Sequence, residues 1–179
     1  MKSFWCIVLL PLALLAGGCA TEPGRRTDLL WRTSAEGAAM EGDASVMLRN
    51  LDESALLERG RSHLASGNTR LAAPYFATLL ARDDENAEAL LGLAEVAFRE
   101  RRYQDAELLS KAALEIDEEK PLPHLWLGRA LRAQGRPGEG ARHLKIAAAV
   151  EPGNASLRVE LGIALAGAGD FVEAENAFL

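Results

Sequence analysis

The chain is poor in the residues that staple, coordinate or catalyse. Two cysteines and three histidines occur among 179 residues, which excludes a disulfide-built scaffold and leaves no paired-cysteine zinc motif. Positive charge is also short. Against 26 Asp and Glu stand 20 Lys and Arg, a net charge of −6, so the chain offers no basic face for nucleic acid. Its longest apolar stretch, Phe4 to Ala16, is too short to span a membrane as a helix. Neither a zinc-protease helix signature nor a P-loop is present. Gly60-Arg61-Ser62-His63 sets a hydroxyl beside an imidazole, but adjacent residues on a helix point about 100° apart, too far for a nucleophile and its base. Position 64 is Leu where a nucleophile elbow would carry Gly. His63, His124 and His143 fall in different expected helices at unrelated phases, which suits packing or surface roles. The acidic runs Asp83-Asp84-Glu85 and Asp117-Glu118-Glu119 fall at expected helix ends, where solvation accounts for them. No catalytic residue, metal ligand or cofactor is therefore expected.

What the chain does have is a period of 34 residues. Ala72, Ala106, Gly140 and Ala174 share one phase of it; Arg59, Leu93, Leu127 and Leu161 share another, followed directly by Gly60, Ala94, Gly128 and Gly162. Within a unit, Leu90, Leu93, Ala94 and Ala97 recur at i, i+3, i+4 and i+7, and Ala106, Leu109, Ser110 and Ala113 repeat the pattern, so each unit holds two amphipathic helices. Glu151-Pro152-Gly153-Asn154 reads as a helix stop, a turn and an Asn cap, while Gly67-Asn68, Gly135-Arg136-Pro137 and Gly169-Asp170 mark the turns inside units. Pro74 is expected to kink its helix, and Gly138 and Gly140 to weaken theirs by roughly 1 kcal/mol each.

These columns resemble the tetratricopeptide repeat (TPR) family, whose 34-residue helix-turn-helix units carry small residues where the two helices touch. The resemblance implies an all-α fold, a right-handed α-α superhelix of hairpins over residues 51–179, with units at 53–86, 87–120, 121–154 and an incomplete 155–179. Because such arrays bury their stripes between neighbours, one unit is not expected to fold alone. In the family, the second, fifth, ninth, twelfth and thirteenth positions of each unit tend to face a concave groove. Carried onto this chain, a protein-binding groove is implied at Leu57, Arg61 and Leu64; at Leu91, Glu95, Phe98 and Arg99; at Leu125, Arg129 and Arg132; and at Val159 and Ile163. Such a trough would be apolar with a basic patch, Arg129 and Arg132 holding carboxylates and Phe98 an apolar anchor. Alternatively, Leu91, Phe98 and Leu125 are core between repeats, displaced into the groove by one position of register. The clamp that grips chaperone tails uses Lys and Asn at the fifth and ninth positions of its first unit; Leu57 and Arg61 stand there, which disfavours that ligand.

The N-terminus carries a second resemblance. Lys2, the apolar stretch and Leu15-Ala16-Gly17-Gly18-Cys19 are similar to a bacterial lipoprotein signal, with Ala16 in place of the commoner Leu. The resemblance implies removal of residues 1–18, acylation of Cys19 and a protein anchored on a membrane without crossing it. Ala20, not an acidic residue, follows the cysteine, which in a Gram-negative cell implies the outer membrane, facing the periplasm. An ordinary secretory signal with an incidental cysteine is the alternative. Residues 19–50 read as a tether, polar except for Leu29-Leu30-Trp31 and Val46-Met47-Leu48, with a span of roughly 30 Å. Leader, tether and repeats together resemble lipoproteins of tight-adherence (Flp) pilus assembly and type IV pilus pilotins. The expected role is a scaffold binding protein segments of an envelope assembly. The alternative is an adaptor for peptidoglycan hydrolases or outer-membrane protein insertion.

Overall fold

The computed structural model describes residues 43–179. Among them are nine helices and no strand: α1 (Asp43–Asn50), α2 (Glu53–Ala65), α3 (Thr69–Arg82), α4 (Ala87–Arg99), α5 (Tyr103–Ile116), α6 (Pro121–Ala133), α7 (Pro137–Val150), α8 (Ala155–Ala168) and α9 (Phe171–Phe178). The starts of α2, α4, α6 and α8 lie 34 residues apart, and local chemistry fixes each of them. Asp52 caps α2 by accepting from the Ala55 N–H at 2.7 Å, Asn86 caps α4 through Ala89 at 2.9 Å, and Asn154 caps α8 through Ser156 at 3.1 Å. At the same phase before α6 stands Lys120, which makes no side-chain cap; Pro121 opens that helix instead, at a position whose N–H would go unpaired anyway.

The turn inside every hairpin uses one left-handed residue at the same phase: Gly67, Arg101, Gly135 and Gly169, with φ of 77°, 63°, 81° and 92°. Three are glycine because only glycine reaches that region without penalty. Arg101 is the exception.

From α2 onward each helix packs on its successor, α1 packs on α3, and α2, α4, α6 and α8 also touch in sequence, giving a solenoid of hairpins. Two interlocks set the spacing. The Phe76 ring, 1% exposed, lies over Gly60 of its own unit and Gly92 of the next; an added Cβ would come within 2.7 and 2.5 Å of it. In the third unit the backbones themselves meet, since a Cβ on Gly140 would sit 2.6 Å from the Gly128 carbonyl oxygen. Gly140 is thus required by the crossing of α6 and α7, which offsets its poor helix propensity.

Pro74 lies within one helix, and one expected boundary moves. Although Pro74 removes one backbone donor, α3 continues through it as a single helix, its buried face held by Ala72, Ala73, Phe76, Leu79 and Leu80. Residues 43–50, assigned above to the tether, form α1. Leu48 is 8% exposed and joins the main core, while the Arg82 guanidinium donates to the carbonyls of Leu48, Arg49 and Leu51 at 3.1, 2.9 and 2.8 Å. That guanidinium satisfies two of the open C-terminal carbonyls, those of Leu48 and Arg49, of a helix too short to stand alone. Cys19, the leader and Leu29-Leu30-Trp31 lie outside the described residues. No described helix is long and apolar enough to cross a membrane.

Candidate binding cleft

The first helices of three successive units, α2, α4 and α6, enclose a cleft of about 470 Å³. Its apolar wall is built by Leu64, Leu91, Leu125 and Trp126, backed by Phe76 and extended by Pro121, Leu122 and Pro123. The rim is charged: Arg61, Glu88, Glu95, Asp117, Lys120 and Glu151. Arg61 pairs with Glu88 at 3.0 Å and Lys120 with Asp117 at 2.9 Å, both exposed and so weakly held. Lys120 holds the Asp117 carboxyl below its ordinary value, and the pairing raises Lys120 in return. With four carboxylates against two cations, the rim carries a net charge of −2.

Of the residues assigned to a groove from sequence, Arg61, Leu64, Leu91, Glu95 and Leu125 line this cleft. Leu64, Leu91 and Leu125 are also buried, at 5, 8 and 8% exposure, so they serve as inter-repeat core and cleft wall together. Leu57 and Phe98 pack against the main core, Phe98 with its ring 5.7 Å from Trp126. Arg99 donates to the Leu64 carbonyl at 2.9 Å and to Glu95 at 2.6 Å, bracing α4 against α2. Val159 and Ile163, 46 and 40% exposed, stand outside the cleft.

The two arginines of the expected basic patch have a partner within the fold. Arg129 and Arg132 meet the carboxylate of Glu160 on α8 at 2.7 and 3.1 Å, and the Arg129 guanidinium lies 4.8 Å above the Trp126 ring. Both arginines therefore join the third unit to the fourth, sharing one carboxylate between two positive charges. The cleft beside them has an acidic rim instead.

Two of the histidines pack as expected, against each other. His124 and His143 stack with Nδ1 atoms 3.1 Å apart, and His124 Nε2 lies 3.2 Å from the Glu118 carbonyl oxygen. A carbonyl only accepts, so Nε2 of His124 carries a proton, and in the neutral ring its Nδ1 accepts from His143. Burial lowers His143 from its ordinary 6.5, and neighbouring His124 and Lys111 push the same way. This pair fastens the Asp117–Lys120 turn, part of the cleft rim, to the third hairpin.

Leu122 and Glu88 were reachable from sequence, since both are second in their units, a groove-facing phase. Trp126 was not; its sixth-position phase carries Gly92 one unit earlier and Glu160 one unit later. Among the described residues, no cluster of three or more His, Cys, Asp or Glu could hold a metal ion.

Paired helices repeating every 34 residues, with small residues at their crossings, define a helical-repeat solenoid. The family model for the tetratricopeptide repeat matches residues 57–121 and 126–179, and the chain belongs to that family. Among solved structures it is similar to a thermophilic TPR protein of Thermus thermophilus, with 20% identity over 86% of this chain and 88% of that one and a TM-score of 0.65. It is also similar to YrrB, described as a TPR protein with an unusual peptide-binding site, with 20% identity over 82 and 72% of the two chains and a TM-score of 0.60. A mutant Thermobaculum terrenum O-GlcNAc transferase is 23% identical over 70% of this chain at a TM-score of 0.62, but the chain spans only 23% of that protein. These likenesses concern the fold. No curated protein matches the sequence significantly.

Proposed function

We propose that this TPR array is a non-enzymatic scaffold whose α2–α4–α6 cleft takes an apolar protein segment with basic flanks. The observation that carries the reading is an apolar wall shared by three successive units beneath a rim of net −2. A single unit offers too little surface to hold a peptide, whereas three aligned first helices offer anchors along its length. The peptide-binding site ascribed to YrrB supports the same use of a similar fold.

Acylated at Cys19, the array stands on the periplasmic face of the bacterial outer membrane and presents this cleft to components of a pilus or secretion assembly. The lipoprotein-like leader supports the anchor, and the join of leader, tether and TPR units supports the assembly role. Photo-crosslinking in intact cells from positions 95 and 122, followed by mass spectrometry, tests both parts. Adducts with pilus or secretin components are expected. Adducts with wall hydrolases would replace the assembly role, and absence of adducts at both positions would overturn the cleft. Labelled fatty acid is expected in the wild-type protein and not in Cys19→Ala; equal labelling, or none in either, would remove the anchor.

A further inference from the structure

We infer that the cleft is occupied in cis by this chain's own segment around Leu29-Leu30-Trp31, so that an external partner binds by displacing it. This rests on the cleft reading given above and adds a specific occupant. Three observations support it. First, the segment has the chemistry the cleft asks for: two leucines and a tryptophan, with Arg25, Arg26 and Arg32 outweighing Asp28 for a net charge of +2 between residues 25 and 32. The cleft answers with leucines, a tryptophan and a rim of net −2. Second, opposite charge at the rim sets the direction of approach and disfavours acidic competitors.

Third, the chain reaches. Arg82 pins the last turn of α1 beside the start of α2 through the Leu48, Arg49 and Leu51 carbonyls. Glu53, two residues further on, accepts from Asn86 at 2.8 Å, and Asn86 directly precedes the cleft residues Ala87 and Glu88. Helix α1 of eight residues is about 12 Å long. The twelve residues from Trp31 to Asp43 span up to about 40 Å when extended. A tethered segment of this kind acts at a millimolar effective concentration, enough to compete with weak ligands and to yield to a tight one.

The test titrates a fluorescent synthetic peptide of residues 24–36 into the full chain in detergent and into the full chain carrying Leu30→Ser and Trp31→Ser. Tighter binding to the substituted chain, about 10-fold or more, is expected, because the internal competitor is gone. Adding Leu122→Asp, a change at an exposed side chain of the cleft, is expected to abolish that binding. Equal affinity for both chains, or binding to neither, overturns the inference. Wild-type mass that doubles with concentration, and fails to do so in the substituted chain, overturns it in favour of a segment donated by a second copy. An unrelated arginine-flanked leucine peptide separates the two claims. If it binds the substituted chain while the 24–36 peptide does not, the cleft reading stands and the occupant is wrong; if neither binds, both fall.

Discussion

The joint between the first and second units and the joint between the third and fourth solve one geometric problem with opposite chemistry. At the first, Phe76 is driven between Gly60 and Gly92, a large apolar ring filling space that two glycines vacate. At the other, Glu160 collects Arg129 and Arg132 across α6 and α8. The repeat period fixes where helices cross but leaves open what fills the crossing. A ring in a glycine slot is sensitive to volume and indifferent to salt, whereas an ion cluster 15 to 32% exposed is sensitive to charge and partly screened.

The contrast is most sharply broken at the ring. Phe76→Ala is expected to cost about 3–5 kcal/mol, read as a lowered denaturant midpoint. Gly92→Ala alone is expected to cost about 1–3 kcal/mol by overpacking. In the Phe76→Ala background the same change should be neutral or stabilising. Additive losses would show that ring and glycine do not interlock.

Next comes the ion cluster. Glu160→Gln leaves two arginines side by side and is expected to cost about 1–2 kcal/mol, discounted for partial exposure. Its loss should shrink in molar salt while that of Phe76→Ala does not. Equal salt dependence of the two would erase the distinction.

Acid sharpens the comparison further. Burial pushes the Glu107 carboxyl up, but Lys111, Gln134 and Arg136 together outweigh it and hold the group below its ordinary 4.5. A carboxylate lowered on folding contributes stability above its unfolded value, which is lost as pH falls through the folded one. Glu107 braces α5 against the Gln134–Arg136 turn, with contacts of 2.8 Å to Gln134 and 3.0 Å to Arg136. Acid melting curves are therefore expected to steepen below pH 4.5 in the wild type and to flatten in Glu107→Gln. Superimposable curves would remove the carboxylate from the account.

The smallest expected effect is a gain. Arg101 occupies a left-handed turn position that glycine holds in the other three hairpins, so Arg101→Gly should raise stability by about 0.5–1 kcal/mol in thermal melts. A loss would mean that the Arg101 side chain holds the turn in some way that outweighs its backbone strain.

The sequence exposes everything that repeats and little that does not. Asn86 and Asn154 sit one residue before their helices, and Gly60, Gly128 and Gly162 share a phase, so the family and the hairpin crossings were legible. Leu64, Leu91 and Leu125 were placed on one wall from the period alone, because periodicity determines which way a first helix faces. The carboxylate that Arg129 and Arg132 hold was not legible, because Glu160 lies 28 to 31 residues away at a phase occupied by Gly92 and Trp126 in other units. His124 and His143 escaped for the same reason: side chains 19 residues apart meet only once α6 and α7 cross at the Gly128–Gly140 contact. Helix α1 was hidden because its eight residues have no periodic partner, and Arg82, which secures it, belongs to another unit.

The Phe76 wedge bears on how such arrays change by duplication and loss. Removing residues 87–120 would preserve the period, the turns and the hairpin count of every surviving unit. It would also bring Trp126 to the phase now held by Gly92, ring against ring. The units share a length and a fold but cannot trade places, so their order along the chain is itself encoded in the sizes of a few facing side chains.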